Sequence, residues 1–151
     1  MLEEDMWAFI PNLNRAVRVS LSQKLTGEAA NGDISRTRWS GDYKSHIEEE
    51  NSSEWQLLLS GNKKGLTYDK IRVWIQKKDF APLRAEYLSL ANKVLKKVYY
   101  KNYKTMAGGM RPSEIHIHDA VKEESKSILK IVNMEVRTFE DSLFNQNNLK
   151  K

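Results

Sequence analysis

From Pro82 to Lys104 the chain reads PLRAEYLSLANKVLKKVYYKNYK, and its apolar residues Leu83, Tyr87, Leu90, Val94 and Val98 return every three or four positions. That interval places side chains on one side of an α-helix. The pattern is the longest of its kind in the sequence, and it sets the expectation for the rest: an all-α fold, an irregular bundle of four to six helices.

Weaker signals extend the bundle in both directions. Glu3, Glu4 and Asp5 suit a first helical turn before Pro11 interrupts it, and Leu13, Val17, Leu21 and Leu25 then recur at spacing four. EWQLLLS at 54–60 reads as a short buried helix or strand. Thr67 is placed to cap a helix over YDKIRVWIQKK, with Leu66 packing back on Ile71. Ala107-Gly108-Gly109 has the composition of a helix end. Val121, Ile128, Val132, Phe139 and Leu143 carry a last helix from Pro112 or Asp119 to about Phe144. Between 26 and 53, small polar residues and glycines surround only Ile34, Trp39, Tyr43 and Ile47. That segment is expected to be a long polar loop, or partly disordered, within one helical domain spanning 1–151.

No run of apolar residues is long enough to span a bilayer, and the amino terminus is acidic where a secretory signal is basic. The absence of cysteine removes thiol nucleophiles, disulfides and cysteine zinc sites, and suits a reducing compartment. The expected location is therefore cytoplasmic, with no membrane partner.

The formal charge of +5 is unevenly spread. Residues 62–104 hold twelve Lys or Arg against three Asp or Glu, a local excess of nine, so the remainder of the chain sums to −4. Wound as a helix, 82–104 would turn Lys93, Lys96, Lys97, Tyr100, Lys101 and Lys104 away from its apolar side. Lys77, Lys78 and Arg84 would extend that basic face. Ammonium groups neutralise phosphates and tyrosine rings stack on unpaired bases, so the expected function is a non-enzymatic module binding RNA or single-stranded DNA. The same face is also what a solvated helix of good helix formers presents.

RPSEIHIHDA at 111–120 holds two of the three histidines. On a strand, His116 and His118 share a side and could bind zinc with Glu114 or Asp119, but the sequence supplies no closed ligand set, and no metal or cofactor is expected. Arg111 followed by His116 or His118, ahead of a long terminal helix, resembles the Arg-x4-6-His motif of the HEPN family, with Pro112 where that family carries a polar residue. The resemblance implies a metal-independent ribonuclease, dimeric, with Arg111 holding phosphate charge and His116 or His118 moving the proton of a ribose hydroxyl. Read without it, Pro112, Ser113 and Glu114 make an ordinary polar helix start. A further alternative is an accessory protein of a virus, phage or mobile element that acts as a protein-interaction adaptor through Trp39 and its polar loop. Phosphate-cradling loops, nucleophile elbows and dinucleotide fingerprints are absent from the sequence.

Overall fold

The computed structural model describes residues 6–35, 39–122 and 124–149, and it is a β-protein. Seven consecutive strands form one antiparallel meander: β5 (Tyr43–Glu50), β6 (Glu54–Gly61), β7 (Lys70–Gln76), β8 (Pro82–Leu88), β9 (Val94–Met106), β10 (Gly109–Asp119) and β11 (Lys126–Lys130). Ahead of them lie a hairpin of β1 (Met6–Ile10) with β2 (Arg15–Val19), a short pair of β3 (Lys24–Thr26) with β4 (Ala29–Ala30), and α1 (Asn31–Ser35). Among the described residues α1 is the one α-helix, so the all-α bundle is overturned. No helix among them is long and apolar enough to cross a membrane.

The stretch that reads most strongly as a helix is the β8–β9 hairpin. A spacing of four fits a helix, but it is also twice the strand period, so a chain of such spacings does not separate the two. What separates them is a change of parity. Tyr87 is odd-numbered and Val98 even-numbered, yet both face the core, because the turn at 89–93 intervenes. Asn92 there takes the left-handed conformation at φ 61°, and the Ser89 amide donates to the Lys93 carbonyl. Ala107-Gly108, expected as a helix end, is instead a two-residue hairpin loop. Both residues have positive φ, 49° and 76°, the geometry of a type I′ turn that matches strand twist.

The remaining helix expectations fall the same way. YDKIRVWIQKK contains β7, whose Ile71, Val73 and Ile75 alternate with Arg72, Trp74 and Gln76. The 112–144 stretch contains the end of β10, β11, an irregular segment from Ile131 and a 3-10 turn at Asp141–Phe144. The 26–53 segment, expected as a long polar loop, holds β4, α1 and all of β5. Residues 1–5, where the acidic helical turn was expected, lie outside the described residues.

Register fixes which side chains share a face. Val73 lies opposite Leu57 on one side and Ala85 on the other, and Ala85 opposite Val98, which in turn faces Ile117. These residues, with Leu59 and Ile71, make the core of one face, and Ala29 and Tyr68 pack onto it. We call this the cavity face. The other face carries Arg72, Trp74, Arg84, Tyr99, His116 and His118.

α1 is seated by backbone bonds from Asn31 to the Gln23 carbonyl and from Gly32 to the Leu21 carbonyl. Gly32 has to be glycine, because a Cβ there would lie 1.8 Å from the Thr67 hydroxyl oxygen. Asp33 is thereby delivered to the interior.

Candidate functional site

A cavity of about 420 Å³ opens on the cavity face. Its floor is Ile75 of β7, Tyr87 of β8, Tyr100 of β9, and Ile115 and Ile117 of β10, while Trp39, Asp33 and Phe80 close parts of its walls. Ile131 and Met134, from the irregular segment after β11, form another wall, and the Ile131 amide donates to the Ser113 carbonyl. The lining is mainly hydrocarbon and aromatic ring. Its polar side-chain groups include three phenols, the carboxylates of Asp33 and Asp79, the Trp39 indole and Arg111.

The phenols are held neutral. Burial pushes the Tyr100 hydroxyl well above its ordinary value, and burial does the same at Tyr87, whose oxygen lies 3.4 Å from that of Tyr100. Tyr103, which donates to the Pro82 carbonyl, is pushed up to about 12, by burial first and then by Asp79. Across physiological pH these groups are uncharged hydrogen-bonding partners on an apolar floor.

Beside the cavity is a buried ion pair. Lys96 Nζ lies 2.9 Å from Asp33 Oδ2, with side chains 10% and 2% exposed. Asp33 also accepts the Ala30 amide and the Tyr68 hydroxyl, each at 2.8 Å. Lys96 lies over the Tyr68 ring at 5.4 Å. The pair ties α1 to β9 across 63 residues of sequence and satisfies charges that could not otherwise be buried.

The basic face expected from the sequence is divided by the strand. Tyr100 faces the cavity and Lys96 the interior, while Lys97 and Lys101 point the opposite way. Lys93 is exposed in the 89–93 turn, and Lys104 is exposed opposite Arg111. Lys77 pairs with Glu50 at 2.8 Å, Lys78 is exposed on the loop after β7, and Arg84 stacks over Trp74 at 4.3 Å. They do not form one surface.

Arg111 and the histidines are likewise apart. Five residues of extended strand separate Arg111 from His116 by roughly 16 Å. Arg111 borders the cavity and donates from Nε to the Met106 carbonyl, whereas His116 and His118 stand on the other face. His116 Nε2 lies 3.1 Å from Glu114, and His118 meets the Tyr99 ring edge-on. Among the described residues no three His, Asp or Glu groups are placed to hold a metal ion. Trp39, expected to be presented to a partner protein, packs edge-on against Tyr100.

A crystal structure of the LolA superfamily protein NE2245 from Nitrosomonas europaea superposes on this chain with a TM-score of 0.85 and 36% identity, covering 95% of this chain and 67% of that one. The chain belongs to the LolA superfamily. A family model described as "-like: Uncharacterized protein" also matches residues 1–151. Two more distant structures share the fold. One is described as an outer membrane lipoprotein-sorting protein domain, from Vibrio parahaemolyticus, with a TM-score of 0.72 and 24% identity over 97% of this chain and 66% of its own length. The other is a DUF1329 family protein from Desulfovibrio piger, with a TM-score of 0.71 and 19% identity over 96% of this chain and 64% of its own. The chain thus spans about two thirds of each of these proteins. No curated protein matches it.

Membership of the LolA superfamily overturns the nucleic-acid-binding reading together with its partners, and with it the ribonuclease and adaptor alternatives. The physical reason is local: without the helix Lys93, Lys96, Lys97, Tyr100, Lys101 and Lys104 do not share one face, and Arg111 shares no cleft with His116 or His118. Sequence reasoning missed the cavity residues Ile75, Ile115, Ile117, Ile131 and Met134. The alternation of Ile115 and Ile117 with His116 and His118 was the signal available for two of them.

Proposed function

We propose that this protein is a lipid carrier, holding the acyl chain of a lipoprotein or phospholipid against the cavity face, and that it works in the periplasm. The observation that carries the reading is the cavity itself. Its volume of about 420 Å³ lies in the range of small-molecule pockets, and its floor offers isoleucine side chains and neutral phenols with few charges. An acyl chain gains there by leaving water, and it asks nothing of the lining except shape and apolar surface. Arg111, at the border, is positioned to meet a phosphate or carboxylate left outside. The fold shared with a protein described as a lipoprotein-sorting domain agrees with this ligand class. The periplasm is the aqueous compartment in which a lipid needs such shielding between two membranes.

The test is a titration with a fluorescent fatty acid whose emission rises in apolar surroundings. Saturable binding at a single class of site, competed by an unlabelled long-chain fatty acid, is expected. Emission that grows linearly with probe and is unaffected by the competitor contradicts the reading.

A further inference from the structure

On the face opposite the cavity, strands β9, β10 and β11 carry three rungs of side chains. Lys97 and Lys126 flank His118 in the first, Tyr99 and Ile128 flank His116 in the second, and Lys101 and Lys130 flank Glu114 in the third. The backbone positions of the four lysines therefore mark the corners of a rectangle. Two strand spacings make it roughly 10 Å wide, and four residues of strand make it roughly 13 Å long.

All four lysines are exposed, and none takes an ion-pair partner among the described residues. The arginines on the same sheet face differ from these lysines. Across β5–β8, Arg72 is bonded to both Glu48 and Glu86, and Arg84 approaches Glu54 at 3.8 Å. These two arginines have carboxylates in place, while the β9–β11 rungs set four lysines against the single carboxylate of Glu114. That carboxylate is engaged by His116, which holds it below its usual range. Burial first, and then the nearby ammonium groups of Lys126 and Lys101, hold the His118 imidazole below its ordinary value. The middle rung places Tyr99 and the 45% exposed Ile128 on either side of His116.

We infer that this β9–β11 face docks on the surface of an anionic phospholipid membrane. A regular array of exposed lysines without ion-pair partners among the described residues meets many headgroup charges without needing a shaped partner, and clusters of four or more such cations are what anionic leaflets attract. Tyr99 and Ile128 between the lysine rungs suit the headgroup boundary, where amphipathic rings and single aliphatic side chains settle. An acidic protein would have to match the lysines with fixed carboxylates at the same spacing, whereas a phospholipid leaflet supplies mobile phosphates that adjust to it. Docking through this face would leave the cavity on the side away from the bilayer, so the contact holds the protein at a membrane without itself opening the cavity to lipid.

The experiment is co-sedimentation of the full chain with vesicles of phosphatidylcholine alone and of an equimolar mixture with phosphatidylglycerol, at low and high salt. Binding is expected only to the mixed vesicles and is expected to fall steeply with salt. The double variant Lys126→Glu, Lys130→Glu should bind them at least about tenfold more weakly, while Lys64→Glu, Lys78→Glu, which removes the same charge elsewhere, should bind nearly as wild type. Both variants should retain the far-ultraviolet circular dichroism of the wild type. If the first does not, Lys97→Gln, Lys101→Gln makes the same comparison without reversing charge. Equal binding to both vesicle types overturns the inference, as does an equal loss in the Lys64, Lys78 control. Binding to polyglutamate as tight as to the mixed vesicles overturns it in favour of an acidic protein.

Discussion

Asp33→Ala destabilises the protein by about 3–5 kcal/mol, the loss expected when one partner of a buried ion pair is removed and the other charge stays behind. Lys96 is the charge left behind: its side chain is 10% exposed and its ammonium has Asp33 at 2.9 Å. The substitution also strips acceptors from the Ala30 amide and the Tyr68 hydroxyl. Urea unfolding followed by circular dichroism reads the effect directly. The double variant Asp33→Ala, Lys96→Met should recover a large part of the loss, because it removes the stranded cation. A loss below about 1 kcal/mol for Asp33→Ala alone would put Lys96 in water, as in an exposed pair, and contradict the burial.

Ile115→Trp weakens fatty-acid binding by at least about tenfold, or 1.4 kcal/mol. Ile115 is half-buried on the cavity floor, and an indole there occupies volume that an acyl chain would otherwise fill. Overpacking costs about 1–3 kcal/mol of stability, which is why the fold is checked in the same sample. Ile128→Trp is the control. It lies on the neighbouring strand one register position away, on the opposite face, and should bind the fatty acid as wild type does. Unchanged affinity in Ile115→Trp would remove the cavity floor from the binding site.

Both predictions rest on residues whose partners are distant in sequence, and this marks the limit of what the sequence made legible. Lys96 and Lys97 are adjacent and chemically identical, yet one is buried and the other solvated because neighbouring strand residues point to opposite faces. The partner that makes Lys96 tolerable lies 63 residues earlier, in a segment whose composition suggested a loop. The small residues around Asp33, namely Ala29, Ala30 and Gly32, were a readable sign of close packing. In Ile71, Val73 and Ile75 the period of two was present, but the capping signal at Thr67 pointed to a helix. The β8–β9 hairpin was hidden by the spacings of four at 83–87, 90–94 and 94–98, which both structures share. EWQLLLS, read as helix or strand, is β6. Asn51 and Ala107-Gly108 occupy hairpin turns, the first through its side chain, which accepts the amides of Ser53 and Glu54.

The most direct test of the carrier reading is a methyl NMR titration of isoleucine-labelled protein with a long-chain fatty acid. Binding in the cavity predicts that the signals of Ile75, Ile115, Ile117 and Ile131 shift together and saturate together, while Ile128 on the opposite face stays in place. Shifts confined to Ile128 and its neighbours, or none at saturating ligand, would contradict it.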